Sequence, residues 1–287
     1  MNECDVVYEA NFAPEHLTPA TFSARRLPDR VHYRIVRCRL CRLMRSDPIL
    51  DDEAIKALYQ KSAVTYQADY PALIATYRRY LRRATRYLAS PASLLEIGCG
   101  DGFFLHAARA SGYHEAWGVE PSAEAAKAAD DNIRSHIIEG FYHESSFPPA
   151  RFDCACLFQV LDHLPDPRAC MRALARHLKP NGIVLCISHD TDALLNRILG
   201  RCSPIIDIEH TYLFSRRTAG RLFANGNFRI LETGPVWNTH TLRHWLELAP
   251  LPATLKTGMI ALLHRLRLSE LTITIPAGNF YLIAQQA

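Results

Sequence analysis

Between residues 93 and 188 short apolar runs alternate with stretches whose apolar positions recur at helical spacing. The runs Leu94–Ile97, Ala116–Val119, His136–Ile138, Phe152–Phe158 and Ile183–Ser188 are nearly continuous, as in strands covered on both faces. Helical stretches are predicted between them over 103–111, 122–132 and 167–178. This alternation predicts βαβ units around a mostly parallel sheet, an α/β fold. Downstream the pattern predicts a helix over 191–199, an irregular stretch over 200–214, a helix over 215–225 and a strand over 228–233. A proline-broken helical region over 239–268, a candidate substrate lid, precedes a last strand at Phe280–Ala284. Upstream, Asp51-Asp52-Glu53 opens a helix carrying Ile55, Leu58 and Tyr59. A second helix from about Pro71 puts Leu73, Tyr77, Tyr80, Leu81, Ala84 and Leu88 on one face and arginines on the other. Residues 1–50 show little beyond a candidate strand at Val31–Val36. The chain divides accordingly into an N-terminal extension (1–50), a helical cap (51–90), a core (91–238), and a helical lid with the final strand (239–287).

Composition narrows the class. With 48% hydrophobic and 22% charged residues, most of the chain can bury a core, which excludes extended disorder. No apolar run reaches the roughly 18 residues of a membrane-spanning helix, and the acidic start at Met1-Asn2-Glu3-Cys4-Asp5 lacks a secretory layout. Of the nine cysteines, Cys154, Cys156 and Cys186 lie inside apolar runs, where reduced thiols pack as small hydrophobes. A cytoplasmic protein without a disulfide framework is expected. The net charge of +4 is uneven: residues 21–46 hold eight arginines against Asp29 alone. Such a segment is either a solvated face or a contact for something anionic.

The strongest chemical signal is Leu94-Leu95-Glu96-Ile97-Gly98-Cys99-Gly100-Asp101-Gly102-Phe103-Phe104. A buried strand runs into three glycines and then a helix, so the backbone can come close to a ligand. The spacing is G-x-G-x-G. Phe103 stands where dinucleotide enzymes place their third glycine, which argues against NAD. Glu120 follows Gly98 by 22 residues, at the end of the next strand in Trp117-Gly118-Val119-Glu120-Pro121-Ser122. A carboxylate at that place can accept both hydroxyls of a ribose.

With these residues the chain resembles the class I S-adenosylmethionine-dependent methyltransferases over about 93–235, with 280–284 fitting the final strand. The family's acidic residue and glycine turn match Glu96, Gly98, Cys99, Gly100, Asp101 and Gly102, and its ribose acid matches Glu120, followed by Pro121. Ile138-Glu139-Gly140-Phe141 stands where the family surrounds the adenine. Phe152 to Phe158, with Gln159 and the run to Pro167, matches the fourth strand and its loop. The turn Leu178-Lys179-Pro180-Asn181-Gly182 matches the hairpin before the fifth. The resemblance implies a Rossmann-like sheet of seven strands with the last antiparallel, S-adenosyl-L-methionine as cofactor, and a methyl acceptor that these motifs leave unnamed. Carboxylates such as Glu96 and Asp101 near the turn favour the cofactor's positive charges.

A hydroxyl or acidic C–H acceptor needs a positioned base. His163 is one candidate, because it follows strand four at the sheet edge where open α/β folds bind ligands. A second group is Asp207-Ile208-Glu209-His210-Thr211-Tyr212-Leu213-Phe214-Ser215, with Ser215 as N-cap of the next helix. Its Glu209-His210 pair resembles the Glu-His element of deoxysugar C-methyltransferases, and similar segments occur with other acceptors. The site expectation is therefore His163, Glu209 and His210 as catalytic groups acting on a polar or anionic small molecule, such as a sugar or nucleotide-linked sugar.

Cys38-Arg39-Leu40-Cys41 resembles the second half of a zinc module that precedes some of these enzymes. Structural zinc wants four ligands, and only Cys4 lies upstream, with His16 or His32 as the remaining donors. A metal-free remnant is the expectation, and no metal site is assigned. Two other functions compete: a module that binds the cofactor without transfer, and a nucleic-acid methyltransferase using the 21–46 arginines. Phe158-Gln159-Val160 lacks the N/D-P-P-Y/F run of amino-methylating nucleic-acid enzymes, and no aromatics interleave the arginines.

Overall fold

Three strand segments without an exposed position, Ser93–Ile97, Phe152–Phe158 and Ile183–Ser188, build the centre of the molecule, as their continuous apolar sequences require. The structure, a computed structural model, describes residues 3–12, 31–49, 57–58, 70–249 and 251–287. Strands β1 (Cys4–Tyr8), β2 (Arg34–Cys38) and β3 (Met44–Asp47) come first, then helix α1 (Tyr70–Thr85). The core follows as β4 (Ser93–Ile97), α2 (Phe103–Arg109), β5 (Glu115–Glu120), α3 (Ala123–Lys127), α4 (Asp131–Arg134), β6 (Ile137–Glu139), β7 (Phe152–Phe158), α5 (Pro167–His177) and β8 (Leu178–His189). After α6 (Leu194–Leu199) come β9 (Tyr212–Leu213), α7 (Arg216–Asn225), β10 (Phe228–Thr241), α8 (Leu242–Leu248), α9 (Ala253–Arg265) and β11 (Thr272–Gln286).

The main sheet has seven strands in the order β10-β11-β8-β7-β4-β5-β6. Strands β4 to β8 pair parallel, and β11 runs antiparallel to both β8 and β10. Alternate side chains supply the two faces. Leu94, Cys154, Cys156 and Leu185 meet Tyr77, Leu81 and Phe104 from α1 and α2. Leu95, Ala155, Leu157 and Cys186 meet Met171, Leu174, Ala219 and Phe223 from α5 and α7. Helix starts are fixed by side-chain caps: Asp166 accepts from the N–H groups of Arg168 and Ala169, and Ser215 forms a capping box with Thr218. Among the described residues no helix is long and apolar enough to cross a membrane.

Several boundaries differ from those the pattern predicts. The stretch 122–132 is two short helices, because the Asp130 side chain accepts the Asn132 N–H and caps a new start. Strands β10 and β11 continue far past the sheet as a two-stranded arm, pairing Trp237 with Pro276 and Thr241 with Thr272. Thr239, Thr241, Thr272, Ile273 and Thr274 are β-branched and suit such a ribbon. The lid's helical part is thereby confined to α8 and α9. The predicted strand Val31–Val36 is shifted to β2, and the predicted helix opening at Asp51 falls outside the described residues save for 57–58.

A second sheet, β1-β2-β3-β9, joins the N-terminal extension to the irregular stretch before α7. Met44 pairs with Leu213 and Arg45 with Tyr212, and the Ser46 N–H donates to the Thr211 carbonyl at 2.9 Å. Ile35, Met44, Ile205, Ile206 and Leu213 bury one face. Cys4 is the register partner of Cys38, and exposed Cys41 lies in the following turn. Hydrogen bonds led by the Cys41 backbone hold the Cys38 thiol below its ordinary pKa. His32 engages the Tyr33 carbonyl through Nδ1 at 2.8 Å, and His16 lies outside the described residues. Arginines 34, 39 and 45 of the basic segment are held in ion pairs with Asp47, with Glu3 and Asp5, and with Asp47 respectively.

Gly118 gives the fold a stability test. A Cβ there would overlap the buried Cys99 sulfur and lie 2.8 Å from Cys99 Cβ. Gly118→Ala should cost about 1–3 kcal/mol in denaturant unfolding, and adding Cys99→Ala should recover part of the loss.

Candidate active site

A cavity of about 640 Å³ opens at the C-terminal edge of the parallel strands. Its first half is built on the turn after β4. Gly98, Gly100 and Gly102 hold φ values of 70°, 58° and 77°, the left-handed region that glycine enters without strain. A Cβ at Gly98 would overlap Val160 Cγ2. Glu120 ends β5 with its carboxyl held from both sides: Gly100 N–H donates to Oε2 and Ser122 N–H to Oε1, each at 2.8 Å. Helix α1 pins the turn from outside, where Tyr70 Oη donates to Asp101 Oδ2 at 2.8 Å and stacks on Phe103.

The residues predicted for the cofactor separate into two groups. Glu96, Gly98, Gly100, Glu120, Pro121, Gly140, Phe141, Phe158 and Gln159 line the cavity. Cys99, Asp101 and Gly102 do not. Cys99 is buried against Gly118, Asp101 accepts from Tyr70 and the Phe103 N–H, and Gly102 faces Ile133 and Ile137. These three shape the turn from behind.

Buried Glu96 Oε2 and Gln159 Oε1 face this half without a hydrogen-bond partner. Burial lifts the Glu96 carboxyl well above its ordinary range, with Glu120 and Asp101 adding to the effect. A ligand with a diol at one end and cationic groups at the other would satisfy Glu120, Glu96 and Gln159 together, so the residues present fit S-adenosylmethionine.

The second half gathers groups distant in sequence. His163, Glu209 and His210 all line the cavity, as does His189, the last residue of β8. Behind them Asp162 is 1% exposed. Its Oδ2 lies 2.5 Å from His189 Nδ1 and 3.7 Å from His210 Nε2, and its Oδ1 lies 4.0 Å from His163 Nε2. His210 is set by its other nitrogen, since Nδ1 contacts the Ile205 carbonyl at 2.8 Å. Burial lowers the His163 imidazole to about 4 despite the Asp162 charge, and burial also lowers His210. The arrangement is a buried carboxylate accepting from His189, faced by neutral rings. The Asp162 carbonyl accepts the Tyr212 N–H at 3.2 Å, which fastens β9 to this loop.

Sequence reading missed Asp162 and His189. The available signal was position: Asp162 follows β7 and His189 ends the adjacent parallel strand β8, the edge at which His163 was recognised. It also left unnamed the lid wall, where His240 and His244 stack at 4.3 Å and Trp245 meets His240 edge-on.

The family of the methyltransferase domain matches residues 66–233, more than half of the chain. The chain belongs to the class I S-adenosylmethionine-dependent methyltransferases. Its cofactor is therefore S-adenosylmethionine, in agreement with the fit of Glu120 and the glycine turn. A ubiquinone biosynthesis O-methyltransferase of Paracidovorax citrulli is 30% identical over 119 residues, 37% of this chain and 48% of that protein. A protein of the same name from Serratia proteamaculans is 28% identical over 116 residues, 38% and 48% of the two. The chain thus spans about half the length of these curated relatives. A solved SAM-dependent methyltransferase from Archaeoglobus fulgidus shares the fold, with a TM-score of 0.52 at 16% identity over 82% of this chain and all of that one.

The part expected of Glu120 in cofactor binding can be tested by its pH dependence. Burial lifts its carboxyl to about 7, against the N–H groups of Ser122 and Gly100. A carboxylate that accepts both ribose hydroxyls must be ionised to do so. Affinity should be full above that value and fall as pH drops through it, approaching tenfold per unit below. Titration calorimetry across this range should show the slope, and Glu120→Gln should remove it and weaken binding about 10- to 100-fold at pH 8. A flat profile in the native chain would exclude the carboxylate from ribose binding.

Proposed function

We propose that this methyltransferase methylates a hydroxyl group of a small polar acceptor bound between the imidazole cluster and the lid. The observation that carries this reading is the shared cavity: His163, His189, Glu209 and His210 open into the same space as Glu120 and the glycine turn. Glu120 would hold the ribose and Glu96 the cationic end. Bound there, S-adenosylmethionine supplies an electrophilic methyl group on sulfur with its leaving group built in. The chain's remaining tasks are alignment and removal of one proton. His163 would take the acceptor's proton, and the Asp162 carboxylate, 4.0 Å from its Nε2, would stabilise the charge that results. Glu209 and His210 orient the acceptor from the segment held by β9. Phe141, Phe158 and Leu195 keep water from the reacting region.

The names of the two relatives favour oxygen as the attacked atom, and the Glu209-His210 resemblance favours a sugar. A hydroxyl-bearing acceptor accommodates both. The test is transfer of labelled methyl to a panel of sugars, nucleotide-linked sugars and phenols, followed by fractionated cell metabolites. His163→Ala and His210→Ala should each lower turnover by about 10²-fold or more while leaving cofactor affinity nearly unchanged. Cofactor binding with no labelled product in any fraction would make the chain a binding module instead. Variants that lose stability but not activity would make these histidines structural.

A further inference from the structure

We infer that Asp162, His189 and His210 form a divalent-cation site, and that the acceptor is one that chelates this ion through two adjacent oxygens. The inference rests on the acceptor side proposed above and deepens it. Asp162 Oδ2, His189 Nδ1 and His210 Nε2 lie within 4.8 Å of one another. Two imidazoles and one carboxylate gathered on one side leave open positions toward the cavity, and this donor set suits a first-row transition ion better than magnesium or calcium.

Two details of the geometry ask for a cation. His210 Nδ1 faces the Ile205 carbonyl at 2.8 Å, so that nitrogen carries the proton. Nε2 of the neutral ring then turns a lone pair toward the Asp162 carboxylate at 3.7 Å. Two electron pairs face one another across that gap, and an ion between them converts repulsion into two bonds. A backbone carbonyl that fixes the tautomer of a ligating imidazole is the usual supporting contact at metal sites. The second detail is Asp162 Oδ1, which is buried without a hydrogen-bond partner. Its neighbour His163 Nε2 stands at 4.0 Å, beyond hydrogen-bond reach. A carboxylate this enclosed gains more from a bound cation than from a single shared proton.

The proton balance follows from the His189 contact. Nδ1 shares a proton with Asp162 Oδ2 at 2.5 Å. Binding the ion at Nδ1 moves that proton to Nε2 of the same neutral ring, so the ligand stays neutral and the proton count is unchanged. His240, His244 and Trp245 line the same cavity as His189 and His210, a wall that suits a flat acceptor. A vicinal pair of oxygens would fill two positions, and coordination lowers the pKa of the hydroxyl to be methylated. His163, outside the ligand set, receives its proton.

The experiment uses the full chain, stripped with chelator and titrated with Mn²⁺ by calorimetry and electron paramagnetic resonance, then with Co²⁺ by absorption. One ion per chain is expected, with a nitrogen–oxygen ligand field. His210→Gln and His189→Gln should each weaken Mn²⁺ binding about 100-fold, while circular dichroism and cofactor affinity show that the variants are folded. Cys38→Ser should leave Mn²⁺ binding unchanged. No Mn²⁺ binding at millimolar concentration, binding indifferent to both histidine variants, or thiolate bands with Co²⁺ that vanish in Cys38→Ser would overturn the inference. Undiminished methyl transfer in chelator would overturn it too, leaving the hydroxyl reading intact. An ion bound at these residues with no methylated acceptor would instead sink the hydroxyl reading alone.

Discussion

The histidine side of the cavity is organised by one constraint: a carboxylate buried to 1% exposure has to be met by donors or cations. Asp162 sits where β7 ends, so its partners come from whatever the topology brings to that edge. The neighbouring parallel strand β8 ends in His189, and the segment ahead of β9 brings His210. The Asp162 backbone carbonyl holds that segment as well, through Tyr212. One residue therefore fixes both the charge at the centre of the site and the path of the loop that closes it.

The cofactor half obeys a different logic. There the carboxylate of Glu120 receives backbone N–H groups from Gly100 and Ser122, and the glycine turn is shaped by packing beneath it. Cys99 against Gly118, and Gly102 against Ile133, leave no room for a Cβ at either glycine. The turn is thus determined from the protein side as well as from the ligand side. That is why Cys99, Asp101 and Gly102 belong to the same motif as the lining residues without touching the cavity.

How much was legible in the sequence follows from how local each feature is. The strands β4, β7 and β8 are read directly, because strands buried on both faces are apolar throughout. The glycine turn with Glu120 is likewise one βαβ unit, so its spacing is visible in the chain. The histidine side is different: Asp162, His189 and His210 are brought together by sheet order and by a loop, and no spacing rule joins them. His163 was found from its place after a strand end, and His210 with Glu209 from the polar cluster ahead of a helix cap and its resemblance to a Glu-His element. Asp162, adjacent to His163, was passed over because nothing in the sequence marks a buried carboxylate. The long arm of β10 and β11 was missed for a related reason, since strands were read only over 228–233 and 280–284 while the ladder continues past Pro235 and Pro276.

The pairing of β3 with β9 joins parts of the chain separated by almost the whole sheet core. Met44 has no partner on that edge until Leu213 arrives, so during synthesis the hairpin of β2 and β3 exposes an unpaired ladder while β4 to β8 form. The cofactor cradle, made from consecutive units, has a much lower contact order than this closure. Assembly should accordingly run in a fixed sequence, with the nucleotide-binding half ordered first and the histidine cluster completed only when the small sheet zips shut. A chain stalled between these steps would hold cofactor before it could discriminate among acceptors.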